Sequence, residues 1–372
     1  MPRLTVGVIF GGRSVEHEIS LLSAKSIIKH VNPEKFEVFP IFIDKSGIWR
    51  RASIAAWLKD GELEVSDSSF LAPSLNPENH EFYEIFGGEL RSAHRVDVIF
   101  PVLHGTHGED GAVQGMFELM GVPYVGASVL GSSVGMDKII MKAVLKDSGL
   151  PVVSYTGFYK HEWKSGRDIL RNRILQEIGV PCFTKSADLG SSVGITKVNS
   201  PGELDKAVDF SCRFSSRVLV EKAVPKPREI EISVLGNENP IASCPGEVVP
   251  HREFYDYRAK YLEQGTGLIA PAELDEGTTE RLRDYAVKTF KALDCRGLGR
   301  VDFLINGETN EIYISEINTM PGFTQISMYP RLWGLSGMEY PDLVSRLIEL
   351  ALETSELKNS LESDIAESQK PL

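Results

Sequence analysis

The chain has 372 residues, 42% of them apolar, a formal net charge of −12 and a pI near 5.3. A chain of this length is expected to form two or three domains, and its apolar share is enough for sizeable cores. The acidic balance argues against non-specific binding to nucleic acid or to an anionic membrane, because both of these partners attract basic proteins.

The first part of the chain alternates predicted strands with predicted helices. LTVGVIF, FEVFPIFID and VDVIFPVL are typical of buried strands, while EISLLSAKSIIKHV and AVQGMFELMG have helical spacing of apolar residues. Strands that alternate with helices indicate a parallel α/β sheet. The polar stretch 60–91 interrupts the pattern and is predicted to be a variable excursion. We therefore predict an N-terminal α/β domain over residues 1–126.

Two further domains are predicted, over residues 127–224 and 225–372. In the first, the helix MDKIIMKAVLKDSGL precedes strands in GVPCFTKS, SVGITKV and SRVLVEKAV, with the helix PGELDKAVDFS before the last of them. In the second, EIEISVLG, RVDFLI and EIYISEIN predict strands, and TTERLRDYAVKTFKALD predicts a helix between the first two. The polar tail ELKNSLESDIAESQKPL is predicted to fray.

Neither the cysteines nor the histidines show a metal or redox motif. The four cysteines are far apart and lack CxxC spacing, which indicates free thiols in a reducing compartment: Cys182, Cys212, Cys244 and Cys295. His104 and His107 have no evident third ligand, so zinc is disfavoured. The opening apolar run is typical of a strand and not of a secretion signal, and no apolar run approaches the ~20 residues of a membrane span. We expect a soluble cytoplasmic protein.

The hexapeptide LGSSVG occurs twice, at Leu130–Gly135 and at Leu189–Gly194. Each copy is predicted to be a glycine turn that places one lysine. Lys138 follows the first copy, in the first turn of a helix that Asp137 can cap, whereas Lys185 precedes the second copy. This reversed order argues against a tandem duplication. The backbone N–H groups and hydroxyls of the second copy predict a phosphate nest, with a flexible hairpin tip as the alternative.

The segment GRVDFLINGETNEIYISEINTMPG predicts a hairpin with its turn near Thr309. Asp302 then lies opposite Glu316, and Asn318 shares the same sheet face. Carboxylate and amide oxygens of this kind suit Mg²⁺, which usually sits between carboxylates and substrate phosphates. The alternative is a salt-bridged hairpin, in which Arg300 pairs with Asp302 or Glu316.

Several motifs together carry a resemblance that covers nearly the whole chain, apart from 60–91 and the tail. In chain order they are GGRSVEHEIS, HGTHGEDGAVQG, MDK, the lysine with GSSVG, VEK followed by REIEISVLG, FYDYRAKY, GRVDF and EINTMPGFTQIS. On these motifs the chain resembles D-alanine–D-alanine ligases of the ATP-grasp superfamily. The family commonly has proline after the phosphate lysine, where this chain has Ser186.

The resemblance implies a three-domain ATP-grasp fold of the α/β class, with an N-terminal parallel-sheet domain and two α+β domains that clamp ATP. It implies that ATP phosphorylates the carboxylate of one D-alanine, and that the amine of a second D-alanine attacks the acyl phosphate. The dipeptide would enter peptidoglycan synthesis. The resemblance also implies Mg²⁺ or Mn²⁺ as two ions, and we expect a homodimer.

The resemblance further implies a role for each matching residue. The expected ATP-binding residues are Lys138, Lys185, Ser192, Glu221, Lys222, Ala223, Glu229 and Lys260. The expected metal ligands are Asp302, Glu316 and Asn318. The expected catalytic residues are Glu16, Ser191, Tyr261, Arg300 and Gly322, and the expected substrate-binding residues are His104, Ser327 and Met328.

Within this set, Glu16 is expected to hold the ammonium group of the first D-alanine. Arg300 and the N–H of Gly322 are expected to stabilise the tetrahedral oxyanion, and the Ser327 hydroxyl to take the carboxylate of the second substrate. FYDYRAKY matches a lid, whose Tyr261 would reach toward Ser191 and Glu16 while Lys260 reaches the phosphate.

Three other functions are considered. A ligase of the same superfamily could use D-lactate or D-serine as second substrate, but Tyr261 favours D-alanine. A nicotinamide-dependent oxidoreductase is disfavoured because no GxGxxG follows the first strand. A non-catalytic nucleotide-binding regulator would not need Arg300, the lid and the magnesium cluster together.

Overall fold

The computed structural model describes residues 3–249 and 267–361. The N-terminal sheet has the strand order β4-β3-β2-β1-β8. The bounds of these strands are β1 Leu4–Gly11, β2 Phe36–Ile43, β3 Trp49–Ser53, β4 Glu64–Val65 and β8 Val98–Val102. Strand β1 pairs in parallel with β2 and β8, whereas β3 is antiparallel to both β2 and β4. The predicted parallel sheet is thus present in its three central strands.

The stretch 60–91, predicted only as a polar excursion, contributes to a second, three-stranded antiparallel sheet. Its strands are β5 Ser69–Pro73, β6 Glu81–Phe86 and β7 Glu89–Arg95. Leu71 and Phe82 are buried in one cluster with Phe39 and Ile41 of β2. No residue of β7 is buried, so its polar sequence gave no strand pattern.

A four-stranded antiparallel sheet follows, in the order β11-β10-β12-β9. Its strands are β9 Tyr155–Tyr159, β10 Cys182–Ser186, β11 Thr196–Val198 and β12 Arg217–Lys222. The helices of this region are α5 Lys160–Ser165, α6 Arg167–Glu177 and α7 Leu204–Ser211. Trp163, Ile174 and Val208 from the three helices share one buried cluster with Val220. Strand β9 and helices α5 and α6 were not predicted; α6 buries Ile174 alone, so it lacks a wide apolar face.

The third large sheet has the order β16-β15-β13-β17-β18, and β14 pairs with β13. Its strands are β13 Arg228–Gly236, β14 Ile241–Ala242, β15 Gly246–Val249, β16 Gly267–Ile269, β17 Gly297–Ile305 and β18 Ile312–Asn318. Helices α4 (Lys138–Asp147) and α8 (Glu276–Ala292) share a buried cluster with it. The predicted hairpin is confirmed, because Asp302 pairs with Glu316.

The remaining helices are α1 His17–His30, α2 Ala112–Met120, α3 Val129–Met136, α9 Met328–Leu335 and α10 Tyr340–Asn359. Leu343 and Leu347 of α10 pack in one cluster with Val8 and Phe100 of the N-terminal sheet. The first four residues of the tail predicted to fray are helical, as far as Asn359, and residues 362–372 of that tail lie outside the described residues. Within the described ranges, none of the helices combines the length and the apolar character that a membrane span requires.

The first LGSSVG is not a turn, which corrects the prediction, because it lies within α3. Its glycines serve close packing: a Cβ at Gly131 would lie 2.8 Å from the Asp294 carbonyl oxygen, and one at Gly135 3.0 Å from Thr319. The second copy is a turn, with φ values of +50° and +58° at Ser191 and Ser192. The same six residues therefore adopt two backbone conformations. The predicted Asp137 cap is confirmed, since its carboxylate accepts the N–H groups of the first turn of α4.

We expect Leu282→Ala to lower the unfolding midpoint in urea, since Leu282 is fully buried between α8 and the third sheet. Truncation of a buried leucine costs about 2–5 kcal/mol, through lost apolar burial and the cavity that remains. Leu119→Ala is the matched control, because Leu119 of α2 is 65% exposed. Tryptophan fluorescence follows the unfolding. Equal unfolding midpoints for the two variants would contradict the packing described for α8.

Candidate active site

A cavity of about 540 Å³ lies where the N-terminal sheet, the second glycine turn and the third sheet meet. Many residues predicted from the sequence line it: Glu16, His104, Lys138, Ser191, Arg300, Glu316, Asn318, Gly322, Ser327 and Met328. Other predicted residues lie outside this lining: Lys185, Ser192, Glu221, Lys222, Ala223, Glu229 and Asp302. Lys260 and Tyr261 lie outside the described residues.

The second glycine turn lies against an acid of the N-terminal region. A Cβ at Gly190 would lie 3.6 Å from Glu16 Oε2, and one at Gly105 would lie 2.7 Å from the same atom. Gly105 has a φ of +72°, which favours glycine. The close contact with Glu16 also favours a residue without a Cβ at this position. In the described part of the chain the buried Ser191 Oγ has no hydrogen-bond partner. The predicted pair Glu16 and Ser191 thus comes from distant segments to one wall of the cavity.

Of the two predicted phosphate lysines, Lys138 lines the cavity and Lys185 lies outside its lining. Lys138 Nζ donates to the Leu189 carbonyl oxygen at 2.8 Å and lies 3.8 Å from Glu316 Oε2. Lys185 Nζ lies 2.6 Å from Glu221 Oε1. Burial opposes the charge on Lys185, but Glu221 and then Glu316 outweigh it and raise its pKa above the usual value. Lys185 therefore stays charged, as phosphate binding requires.

Glu221 is held by two lysines, a role that the sequence did not predict. Its carboxylate is 3% exposed, with Lys185 at one oxygen and Lys142 Nζ 3.0 Å from the other. Burial would raise the pKa of Glu221, yet the two ammonium groups lower it to about 2. Lys142 was missed, although its position four residues after Lys138 places both lysines on one face of α4.

The segment predicted to bind adenine already uses two of its amides. The N–H of Lys222 donates to the Ser154 carbonyl oxygen at 2.9 Å, and that of Ala223 to the Pro181 carbonyl oxygen at 3.1 Å. Neither amide is therefore available as a donor to a ligand. Further along, Glu229 and Glu231 are two residues apart on β13, so their side chains lie on the same face of the sheet.

The acidic face of the third sheet is organised by Arg300. Its Nε and Nη2 each lie 2.7 Å from one oxygen of Asp302, and Nε lies 3.1 Å from Glu231 Oε2. Asn318 Nδ2 donates to Asp302 Oδ2 at 2.9 Å. The structure thus contains the salt bridge between Arg300 and Asp302 that the sequence left as an alternative. Glu231 was missed, although it pairs directly with Asp302 across the sheet.

The same face has donors that suit a hard divalent cation. Asp302, Glu316 and Asn318 present carboxylate and amide oxygens from two adjacent strands, the ligand type that Mg²⁺ prefers. Because Asp302 uses both oxygens for Arg300, a cation at this carboxylate would have to share it with the guanidinium. Over residues 3–249 and 267–361, no group of three His, Cys, Asp or Glu is arranged to hold a metal.

His104 joins the loop after β18 to helix α1. Its Nδ1 lies 2.9 Å from the Met320 carbonyl oxygen, and its Nε2 lies 3.2 Å from Ser23 Oγ. The same hydroxyl accepts the N–H of Phe323 at 3.1 Å. Burial lowers the pKa of His104, which favours a neutral ring. Both ring nitrogens are engaged within the protein, so His104 borders the cavity mainly as a fixed wall.

The loop that begins α9 places two further predicted residues side by side. A Cβ at Gly322 would lie 2.9 Å from Ser327 Oγ. That hydroxyl accepts the N–H of Thr324 at 3.0 Å, which fixes its position at the start of the helix. Met328 is buried beside Gly246, where a Cβ would lie against the end of the Met328 side chain.

Two family models match the sequence. The model "D-ala D-ala ligase N-terminus" matches residues 5–127, and "D-ala D-ala ligase C-terminus" matches residues 144–349. The chain belongs to the D-alanine–D-alanine ligase family. The family predicted from the motifs is thereby confirmed.

Named relatives and solved structures agree with this assignment. The D-alanine–D-alanine ligase of Natranaerobius thermophilus is 46% identical and covers 99% of this chain and 100% of its own length. The ligase structure from Coxiella burnetii has a TM-score of 0.82 at 34% identity, covering 96% of this chain and 97% of its own. The VanG D-Ala:D-Ser ligase of Enterococcus faecalis has a TM-score of 0.83 at 33% identity, covering 94% and 100%. The predicted three-domain ATP-grasp fold is confirmed.

A carboxylate that the sequence reasoning missed, Glu109, lies beside the substrate side of this ligase fold. One of its oxygens accepts the N–H of Gly105 at 2.7 Å, and the other accepts the N–H of Met320 at 3.0 Å. Burial away from water and the charge of Glu16 raise the pKa of Glu109 to about 8, although the two N–H donors act in the opposite direction. Glu109 therefore links two loops that border the cavity and titrates near neutral pH.

We expect the stability of the wild type to fall between about pH 5 and about pH 9 relative to that of Glu109→Gln. A carboxyl whose folded pKa is raised binds its proton more tightly in the folded state. Its contribution is fully present below the unfolded value of 4.5 and is lost as the pH rises through about 8. Urea unfolding midpoints across this range measure the difference.

Glu280→Gln, at an exposed position on α8, is the matched control for this pH series. If the difference between the wild type and Glu109→Gln stays constant over the range, Glu109 does not titrate there.

Proposed function

We propose that this protein joins two molecules of D-alanine into D-alanyl-D-alanine at the expense of ATP, forming a C–N bond for peptidoglycan synthesis. In the first step the γ-phosphoryl group of ATP moves to the carboxylate of one D-alanine, giving ADP and an acyl phosphate. The neutral amine of the second D-alanine then attacks the acyl carbon, and inorganic phosphate leaves. The observation that carries the proposal is the common cavity, which brings Glu16, Lys138 and Arg300 together.

The cationic side of the cavity suits the nucleotide. We propose that Lys138 and Lys185 bind the phosphates of ATP, helped by the turn that contains Ser191 and Ser192. A run of backbone N–H groups in residues of positive φ forms a concave anion site, and this turn has that conformation. Glu229 is proposed to accept hydrogen bonds from the ribose hydroxyls, which a carboxylate does well.

Glu16 and the loop from Gly322 to Ser327 suit the amino acid substrates. The Glu16 carboxylate is proposed to hold the ammonium of the first D-alanine, while Arg300 and the Gly322 N–H stabilise the oxyanion. The Ser327 hydroxyl is proposed to bind the carboxylate of the second D-alanine. Donors that are already oriented toward developing charge stabilise a transition state without reorganisation. His104 and Met328 form walls of the same site.

Asp302, Glu316 and Asn318 are proposed to hold Mg²⁺ or Mn²⁺, as two ions, with the nucleotide. When bound, such ions neutralise charge on phosphate oxygens during phosphoryl transfer. Lys138 lies 3.8 Å from Glu316, so this lysine can orient a phosphate at the edge of the same acidic face. For Lys260 and Tyr261 we propose the roles that the resemblance implies, contact with phosphate and exclusion of water from the acyl phosphate.

We also propose the domain boundaries 1–126, 127–224 and 225–372, because each sheet is complete within one of these ranges. A cytoplasmic location and assembly as a homodimer are proposed from the resemblance alone.

The direct test combines the protein with ATP, Mg²⁺ and D-alanine, and measures phosphate release together with dipeptide by chromatography. We expect both products in equal amounts, and no turnover without a divalent cation. L-alanine is the stereochemical control, and ATP turnover equal to that with D-alanine would contradict the proposal. D-serine and D-lactate, offered as second substrates with D-alanine, test the alternative that the similarity to the D-Ala:D-Ser ligase raises.

We expect Glu316→Gln to reduce turnover roughly 100-fold or more while the fold is kept, because the change removes a ligand charge without a change in volume. Glu308→Gln is the matched control, since Glu308 lies in the exposed turn of the same hairpin. Near-normal turnover of Glu316→Gln at saturating Mg²⁺ would leave the hairpin with a salt-bridge role only. Circular dichroism of both variants confirms the fold.

A further inference from the structure

The most deeply buried charge near the cavity belongs to a lysine that the proposed reaction does not use. The side chain of Lys142 is 1% exposed, so its ammonium group does not reach a ligand in the cavity. Its Nζ lies 3.0 Å from Glu221 Oε2 on β12 and 3.5 Å from the Ser315 carbonyl oxygen on β18. A buried ammonium is costly unless it is paired, so these contacts explain how it is tolerated.

The Ser315 carbonyl is a special acceptor because it lies at an irregularity in the hairpin. Asp302 pairs with Glu316 and Phe303 pairs with Ile314, so Ser315 is an extra residue of β18. A bulged residue is left out of the regular ladder of hydrogen bonds. Lys142 thus connects strand β12 of the four-stranded sheet to the bulge in strand β18 of the third sheet, next to Glu316.

Taken by themselves, Lys142, Glu221 and Lys185 carry one net positive charge. Lys142 and Lys185 lie on opposite oxygens of the single carboxylate of Glu221. Lys142 is sealed from solvent, whereas the Lys185 side chain is 13% exposed. Lys185 is therefore the more exposed of the two cations, and it is the one that can contact an anion.

We propose that Lys142 is a positioning residue of the nucleotide site: it neutralises Glu221 from the inside, which leaves the charge of Lys185 for a phosphate group. The inference rests on the proposed function only in taking Lys185 as a phosphate ligand. Without the Lys142 charge, Glu221 keeps one of the two lysine partners that it has within the described residues, and its pair with Lys185 is neutral. Binding of a phosphate-bearing nucleotide then weakens, while binding of the nucleoside portion is kept.

The test is Lys142→Met, which keeps most of the side-chain volume and removes the charge. Calorimetric titration with ADP and with adenosine separates the phosphates from the nucleoside. We expect ADP affinity to fall about tenfold or more, the size of one lost charged contact, and adenosine affinity to change less than about twofold. Equal losses for both ligands would show a merely structural role and overturn the proposal.

The double variant Lys142→Met/Glu221→Gln provides the rescue. Removing both charges leaves Lys185 without a carboxylate at this position, so we expect the ratio of ADP affinity to adenosine affinity to recover relative to Lys142→Met. The double variant also removes the buried carboxylate that has lost one of its two lysines, and so keeps the test available if the single variant folds poorly. No recovery of this ratio in the folded double variant overturns the proposal.

Lys146→Met is the matched control, one turn further along α4 at an exposed position, and should leave both affinities unchanged. Dipeptide formation by the wild type is measured separately. If the wild type binds ADP but makes no dipeptide, the proposed function fails, while the comparison of ADP with adenosine still decides the role of Lys142.

Discussion

The cavity depends on keeping three lysine ammonium groups close together where they are largely buried. Lys138, Lys142 and Lys185 converge from one helix and one strand, and would repel one another without carboxylates between them. Glu221 lies between two of them, and Glu316 faces the third. Each of these ion pairs joins residues from different segments of the chain. The ion pairs therefore also fix how the four-stranded sheet, helix α4 and the third sheet meet. The arrangement proposed to serve an anionic ligand is thus also part of the interface between sheets.

The substrate side is held differently, by neutral hydrogen bonds in addition to ion pairs. His104, Ser23 and Glu109 tie α1 and the loop after β8 to the loop after β18. These contacts set the distance between Glu16, which directly precedes α1, and Gly322 in the loop after β18. A ligase that must hold an ammonium group and an acyl carbon at a fixed separation gains from such a link, because small displacements of reacting groups cost rate.

Features with a local cause could be predicted from the sequence. The hairpin register follows from strand periodicity and its turn, so Asp302 was placed opposite Glu316 correctly. The first LGSSVG was predicted wrongly because its glycines are required by Asp294 and Thr319, which are distant in sequence. Residues 60–91 gave no strand signal because few of their strand positions are buried. Lys142 and Glu109 were missed since their partners lie in distant segments of the chain, and Glu231 since it pairs with Asp302 on a strand far away in sequence. The roles assigned to individual site residues remain predictions.

The packing of α10 on the N-terminal sheet has a consequence for biosynthesis. Residues from the last helix complete the same apolar cluster as Val6, Val8 and Phe10 of the first strand. The ribosome makes the chain from the N-terminus onward, so the first sheet and α1 exist before α10 can complete this apolar cluster. Exposed apolar surface and unfinished sheets are the features that chaperones recognise and that favour aggregation. Strand β1 is therefore fully buried only after α10 has been made.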